Sequence, residues 1–197
     1  MSPAAAPSRT RSTETAIAMG IRGIRPSRFL IALASIAALG VAAPQAHADP
    51  SPRAAEVTAG ANAETRALAA AHPREVRAAA VVCGEGYVLD NGYRLPTNEQ
   101  RLATLFTYRI PTGGNPNDEP TCAIMDNNLS VRKWMKLKLC SNWIADGCAE
   151  DSGYFTQYAG PVYRARGGCG KVYAIMKDTP NSSGAIVDAI RPATVCD

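Results

Sequence analysis

The last 115 residues are predicted to form a small all-β domain, an antiparallel sandwich or barrel fastened by disulfide bonds. Three observations favour this class. Apolar residues recur with a period of two, turn-forming clusters of Gly, Pro, Asn and Asp interrupt the apolar runs, and all six cysteines lie in this part of the chain. Short alternating strands separated by turns are typical of sandwiches and barrels. A signal peptide and an Ala-rich segment, flexible or helical, precede the predicted domain.

Residues 1–48 have the features of a secretory signal peptide. A cluster of arginines is followed by the uncharged 15-residue run FLIALASIAALGVAA, and then by the small-residue triplet Ala46-His47-Ala48. This pattern predicts cleavage after Ala48. A membrane-spanning helix needs roughly 20 apolar residues, so we expect export without integral membrane association after cleavage. Met19 stands at a natural distance before the arginines and is an alternative start of translation.

The charge balance argues against a nucleic-acid partner. The chain has 21 basic and 17 acidic residues, of which five basic and one acidic residue lie in the predicted signal peptide. The remainder holds 16 of each and is near neutral. Nucleic-acid binding normally needs a basic face, and the sequence shows no polybasic run that would hold a membrane surface. We expect neither partner.

Residues 49–82 contain no cysteine and no aromatic residue, and alanine dominates. Asn62 is a good helix N-cap, so a short helix is expected up to Ala71, and Pro73 either ends it or begins a second helix up to Val82. Isolated helices of this length are marginal in water. The segment is therefore predicted to be an Ala-rich linker with partial helix, or alternatively a pro-segment that is removed after export.

The six cysteines predict a disulfide framework in residues 83–197, because their number is even and the chain is predicted to be exported. A zinc site is disfavoured, since there is no C-x-x-C motif and no histidine in that range. Six cysteines allow 15 pairings. Pairing in chain order, with the other schemes left open, joins Cys83 to Cys122, Cys140 to Cys148 and Cys169 to Cys196. Such bridges typically stabilise a domain by about 2–4 kcal/mol each.

Three stretches are predicted to be strands. In RLATLFTYRI (residues 101–110), four apolar and aromatic side chains share one face and two arginines share the other, as in a half-buried strand. In VRKWMKLKL (residues 131–139), Met135 and two leucines share a face, and Arg132, Lys136 and Lys138 point away together with Trp134. The run KVYAIMK (residues 171–177) is short and rich in β-forming residues. Clusters of Gly, Pro, Asn and Asp between them predict turns.

The stretch DSGYFTQYAGPVYRARGGC, residues 151–169, resembles the segment that marks the spore-associated protein A family, small exported proteins of filamentous, spore-forming bacteria. CGEGY is similar to the opening motif of that family, and TLFTYR and TCAIM stand where its next two strands would fall. The resemblance covers most of residues 83–190, and YAGPVY is its most specific part. It implies association with spores and no enzymatic activity. Cys140 and Cys148 depart from the family pattern as an added pair, which supports their linkage.

The aromatic residues of this stretch have two interpretations. In the preferred one, residues 154–158 form a strand, Ala159-Gly160-Pro161 turns or bends the chain and residues 162–166 form the next strand. Tyr158 and Tyr163 would then be structural and pack across the strands. In the alternative, exposed aromatic rings form a platform for a glycan or a wall polymer. The candidate platform residues are Trp134, Tyr154, Tyr158 and Tyr163.

The sequence identifies no catalytic residue. His72, the only histidine after residue 48, is expected to be a solvent-exposed linker residue, which disfavours a histidine-dependent triad. The acidic pairs Asp118-Glu119 and Glu150-Asp151 could support glycoside hydrolysis, but both lie in turn-like sequence. Glu150-Asp151, with Asp146 nearby, could hold calcium, but the stretch lacks the spacing of a known calcium loop.

The sequence therefore predicts a secreted, non-catalytic protein that associates with a spore or cell surface and needs no cofactor or metal. A small glycan- or cell-wall-binding module is the first alternative. Two further alternatives are a protease inhibitor that presents the loop between Cys140 and Cys148, and a carboxylate-based hydrolase.

Overall fold

The computed structural model describes residues 55–196, and the predicted signal peptide with its cleavage site after Ala48 lies outside the described residues. Eight antiparallel strands form two four-stranded sheets, and two helices pack on one of them. The protein is therefore an all-β sandwich fastened by disulfides, which confirms the predicted class. Neither of these helices has the length and hydropathy that crossing a membrane would require.

The described chain begins with its two helices and continues with the strands. The helices are α1 (Ala63–Ala71) and α2 (Pro73–Cys83), and the strands are β1 (Val88–Pro96), β2 (Arg101–Arg109), β3 (Thr121–Asn127), β4 (Lys133–Cys140), β5 (Cys148–Phe155), β6 (Tyr158–Arg164), β7 (Lys171–Lys177) and β8 (Val187–Pro192). Sheet 1 has the order β1-β2-β3-β6, and sheet 2 has the order β5-β4-β7-β8. The chain changes sheets after β3, after β5 and after β6.

The main core lies between the two sheets. Leu105 and Met125 enter it from sheet 1, and Leu137 and Met176 enter it from sheet 2, all fully buried. Fully burying a side chain of this size contributes roughly 1.5–3 kcal/mol. Burial alternates along β4, so its apolar residues face this core, and Trp134, Lys136 and Lys138 point outward, as the sequence predicts.

Strand β2 is buried on both faces, although its sequence predicts a half-buried strand. Leu105 faces sheet 2, whereas Phe106 and Tyr108 belong to a second core under the helices, and all three are fully buried. The prediction was wrong because the helices add a third layer on the outer face of sheet 1. A strand whose sheet is covered on both faces needs apolar residues at odd-numbered and at even-numbered positions alike.

The described part of residues 49–82, a segment predicted to be a linker or pro-segment, contributes this helical layer. Helix α1 begins after its N-cap Asn62, whose side-chain oxygen accepts a hydrogen bond from the Thr65 amide at 2.8 Å, as the sequence predicts. Leu68 is fully buried over Gly92 of β1, where an added Cβ would lie only 2.7 Å from the Leu68 Cδ2 atom. Packing on the sheet stabilises helices that would be marginal alone.

Two tyrosines of sheet 1 hold α2 in place. The Tyr108 hydroxyl donates a hydrogen bond to the Val76 carbonyl oxygen at 2.7 Å, and the Tyr163 hydroxyl donates one to the Val82 carbonyl oxygen at 3.0 Å. Burial raises the pKa of Tyr108 far above its usual value, so its hydroxyl remains a donor. The helix is therefore fixed to the sheet near both of its ends.

The disulfides join the cysteines in chain order, which confirms the predicted pairing, and no described cysteine is free. The bonds are Cys83–Cys122, Cys140–Cys148 and Cys169–Cys196. The first links the end of α2 to β3, and the second closes the β4–β5 hairpin between directly opposite residues. The third ties the segment after β8 to the connection that leads into β7.

A buried polar network ties both ends of the described chain to β1. The fully buried Asp90 accepts hydrogen bonds from the Thr58 hydroxyl at 2.7 Å, the Arg109 Nε at 2.7 Å and the Val195 amide at 2.6 Å. Arg109 also pairs with the buried Glu119. Because every charge in this network has a partner, its role is structural.

The predicted boundary between two strands at Ala159-Gly160-Pro161 is wrong. These residues lie inside β6, and the turn that precedes the strand is Thr156-Gln157. A register shift in the pairing of β3 with β6 accommodates Gly160, whose φ of +99° favours glycine. An added Cβ there would lie 2.8 Å from the Ala123 carbonyl oxygen, so the close approach of β3 also requires glycine.

Candidate functional site

The four aromatic residues of the predicted platform lie on two different surfaces. Trp134 and Tyr154 are directly opposite each other on β4 and β5, on the outer face of sheet 2. Tyr158 and Tyr163 belong to β6 in sheet 1, on the side that carries α2. The four residues therefore do not form one platform.

The outer face of sheet 2 is open, because the helices cover the other sheet. The strand register aligns its outward side chains in rows across the strands. The rows are Tyr154, Trp134 and Lys177; then Ser152, Lys136, Ile175 and Asp188; then Glu150, Lys138, Tyr173 and Ile190. Side chains directly opposite each other on one face have Cβ atoms about 4.5–5.5 Å apart. The three aromatic rings and their neighbouring lysines therefore form one continuous surface, which we name the aromatic–cationic face.

Positive charge is concentrated on the aromatic–cationic face. All five lysines of the chain lie on β4 and β7, and the alternation of those strands turns four of them outward, namely Lys136, Lys138, Lys171 and Lys177. Arg132 adds a fifth cation, and Glu150 and Asp188 are the acidic residues at outward positions of these four strands. The face therefore has a net charge of +3, which the near-neutral total conceals.

Cations contact the aromatic rings on this face. The Arg132 guanidinium carbon lies 5.1 Å from the centroid of the Tyr154 ring, and the Lys138 Nζ lies 5.6 Å from that of Tyr173. Such cation–π contacts contribute about 0.5–1 kcal/mol at exposed sites. Lys136 is 2.9 Å from the Glu150 carboxylate. The face therefore combines flat apolar rings with charges that are only partly neutralised.

Tyr158 lines a cleft on the opposite side of the molecule, between α2 and sheet 1. The cleft has a volume of about 470 Å³. Its apolar lining comes from Ala78, Ala79, Val82 and Ile124. Glu75 of α2 and Asp126 of β3 contribute carboxylates, and the β3–β4 and β5–β6 turns supply the remaining polar side chains.

Among the side chains that line the cleft, the Asp126 carboxyl has the most clearly shifted pKa. Burial raises its pKa to about 7, the negative charge of Glu75 adds to the increase, and Arg101 opposes it. Glu75 itself pairs with Arg101, and its other oxygen is 3.4 Å from the His72 Nδ1. His72 is thus half-buried beside an ion pair rather than exposed in a linker.

Tyr163 is 41% exposed, but its contacts are structural in kind. Its hydroxyl bonds the Val82 carbonyl, and its ring centroid is 6.1 Å from that of Tyr87. Both contacts involve the end of α2 and the residues that follow it. These contacts favour the packing role that the sequence predicts for Tyr163.

The acidic pairs that the sequence offers as catalytic candidates do not meet in a cleft. Asp118 pairs with Arg166, Glu119 with Arg109 and Glu150 with Lys136, and Asp151 accepts a hydrogen bond from the Gly160 amide. The carboxylates that do share a cleft are Glu75 and Asp126. Among residues 55–196, no group of three or more His, Cys, Asp or Glu side chains could hold a metal ion.

The loop between Cys140 and Cys148 is exposed, and that disulfide closes it at its base. Ile144 at its tip is 98% exposed, and the Arg166 guanidinium carbon lies 4.5 Å from the Trp143 ring centroid. Residues Ile144–Asp146 form a 3-10 turn. This tip does not offer the extended segment that would pair with a strand of a partner protein.

The fold and the site together define a small, disulfide-fastened β-sandwich with a basic, aromatic face. No protein-family model, no curated protein and no solved structure matches the chain. The resemblance to the spore-associated protein A family therefore stays a prediction, and the function is argued from the site.

Proposed function

We propose that the protein is a secreted, non-catalytic protein that adheres to acidic polysaccharide on a cell wall or spore surface through its aromatic–cationic face. The alignment of Trp134, Tyr154 and Tyr173 with four lysines on one open sheet face supports this proposal. Rings provide large contact area at a low cost in side-chain entropy. The cations attract the polymer and the rings pack against its apolar parts.

Two further observations support an extracellular polymer as the ligand. Three disulfides fit an oxidising compartment outside the cytosol. Most cations on the face are lysines, whose flexible stems and point charges adapt to anionic groups at irregular spacing, whereas arginine suits fixed bidentate contacts. Nucleic acid is the competing polyanion, and direct competition separates the two.

The proposal is tested by retention of the protein on purified wall material and on immobilised polygalacturonate, with dextran as the neutral comparison. We expect binding to polygalacturonate and not to dextran, and a loss of binding as salt screens the charges. The double variant Lys136→Gln with Lys138→Gln should weaken binding about fivefold to thirtyfold, since each charge contributes on the order of 0.5–1 kcal/mol. Trp134→Ala should weaken it at least as much.

Arg74→Gln is the matched control, because it removes an exposed positive charge from α2 on the opposite side of the molecule. It should leave binding unchanged. If Arg74→Gln weakened binding as much as either of the two lysine changes made alone, only the net charge of the protein would matter. Tighter binding to single-stranded DNA than to polygalacturonate would replace the proposed ligand by nucleic acid.

A further inference from the structure

The cleft under α2 has the size and lining of a small-molecule site. Its volume of about 470 Å³ lies within the range of roughly 300–1,000 Å³ that is usual for ligand pockets. Ala78 and Ala79 present small side chains to it, and Val82 and Ile124 complete an apolar surface. Polar side chains of the two adjoining turns, such as Asn128 and Gln157, line the rest. A ligand with an apolar body and one polar end would match the apolar and the polar parts of this lining.

The polar end of the cleft has more negative than positive charge. Glu75 and Asp126 both line it, and Arg101 contacts Glu75 directly. His72 also lies beside Glu75 rather than beside Asp126. Within residues 55–196, the Asp126 carboxylate has no hydrogen-bond donor, and its register neighbour on β6, Tyr158, carries no positive charge.

A half-buried carboxylate is unfavourable unless its charge is compensated, and Arg101, which contacts Glu75 directly, offsets the charge of Asp126 only in part. An anionic ligand would be repelled by both carboxylates, and a neutral ligand would leave the charge of Asp126 uncompensated. A ligand with one positive charge would, together with the Arg101 guanidinium, balance the negative charges of Glu75 and Asp126. A compact ammonium group is small enough to leave most of the cleft to an apolar body.

We propose that this cleft binds a small molecule that carries one primary ammonium group on an apolar body, with the Asp126 carboxylate as its counter-ion and with Val82 and Ile124 against the apolar part. This site is separate from the aromatic–cationic face, which lies on the other side of the molecule. The proposal does not depend on binding of a polysaccharide there.

Binding of such a ligand has a characteristic pH dependence. The groups that face Asp126 are Glu75 from α2, Arg101 from β2 and Tyr158 from β6, and His72 lies behind Glu75. The pKa of Asp126 is about 7 in the free protein. Since the ammonium group prefers the ionised carboxylate, affinity should rise about tenfold from about pH 6 to about pH 8.

The experiment is a titration of the full-length protein with benzylamine, followed by amide chemical shifts in NMR spectra and by calorimetry. Benzyl alcohol and benzoate are the neutral and anionic probes of the same shape. We expect benzylamine to shift the amides of Asn127, Asn128 and Gln157, to bind at least tenfold more tightly than benzyl alcohol at about pH 8, and to show the pH dependence above. Benzoate should not bind.

Asp126→Asn should abolish the preference for benzylamine over benzyl alcohol and flatten the pH profile, while leaving the shape of the cleft intact. Glu99→Gln, an equal loss of charge in an exposed turn, is the matched control and should change neither. Ala78→Leu fills the cleft from an exposed position of α2 and should block both probes. Equal binding of the two probes, an unaltered preference in Asp126→Asn, or shifts that map to sheet 2 would each overturn the proposal.

Discussion

At the residue scale, the ionised form of Asp126 destabilises the folded protein. Its carboxyl lies in the cleft with its pKa raised to about 7, chiefly by burial. The unfolded chain has no such burial, so there the group titrates near its ordinary value of 3.8. Between these two values the folded protein retains a proton that the unfolded chain releases. Stability therefore falls as the pH rises from about 4 to about 7.

Asp126→Asn should remove this pH dependence, because the amide carries no titrating proton. We expect the variant and the native protein to have similar free energies of unfolding at about pH 4. At about pH 8 the variant should be more stable by about 2–4 kcal/mol. Urea unfolding at both pH values measures the difference. If the difference in free energy of unfolding between the variant and the native protein were the same at both pH values, the carboxyl would ionise in its ordinary range.

The alternation of the sequence was enough to place Trp134 on an exposed face, because β4 has one buried side and one open side. The same reasoning did not find Tyr173, which lies in a run too short and apolar to show which side is open. Asp126 gave no signal either, since its environment depends on a helix that begins about 50 residues earlier in the chain. Residues whose surroundings come from another layer are the ones that local patterns miss.

At the scale of elements, α2 depends on its connections to sheet 1. It is short and rich in alanine, and tertiary contacts rather than helix propensity must stabilise it. The hydroxyls of Tyr108 and Tyr163 supply two of these contacts, at the Val76 and Val82 carbonyls. Removal of either hydroxyl should therefore loosen the helix and the cleft beneath it.

Tyr108→Phe should lower the free energy of unfolding by about 1–2 kcal/mol, because the lost hydrogen bond is fully buried. Tyr163→Phe should cost about 0.5–1 kcal/mol at its more exposed position. Tyr163→Ala should cost about 1–2 kcal/mol, less than the roughly 3–5 kcal/mol expected for a fully buried ring.

Tyr173→Phe is the control for this series, since its ring lies on the outer face of sheet 2 and should tolerate the change within about 0.5 kcal/mol. Thermal unfolding and hydrogen exchange of the α2 amides measure the effects. If Tyr163→Ala were as stable as the native protein but no longer retained on wall material, Tyr163 would be a ligand contact instead of a structural residue.

The sequence predicted the start of α1 correctly because Asn62 forms a local cap that needs no other part of the chain. It could not show that the helices pack, since a segment of alanine, with Leu68 and Val76 as its large buried residues, looks the same in a linker. The turn predicted at Gly160 failed for a related reason. Glycine and proline mark a bulge in an edge strand, such as β6, as readily as a turn.

At the scale of the whole molecule, the helical layer determines whether residues 49–82 can be a pro-segment. The helices cover Leu89, Phe106 and Ile124 of sheet 1, all of them buried. A chain that begins at Cys83 would expose these residues together. We expect such a truncated protein to aggregate or to bind hydrophobic dyes, whereas the protein that begins at Asp49 should remain monomeric.

Light scattering and dye fluorescence compare the two chains. A monomeric truncated protein that unfolds cooperatively would show that the sandwich does not need the helices, and would favour removal of the segment after export. Amino-terminal sequencing of the secreted protein identifies the natural start directly, and the sequence predicts Asp49.

The placement of every lysine on β4 and β7 has a practical consequence for handling the protein. Reagents that couple to lysine side chains will therefore modify mainly the outer face of sheet 2, where four of the five lysines point, and will find no lysine on α2 or in the lining of its cleft. Immobilisation through these lysine side chains would favour orientations in which the cleft is directed toward the solution. The same labelling, carried out with and without a bound polymer, would also serve as a footprint of that face.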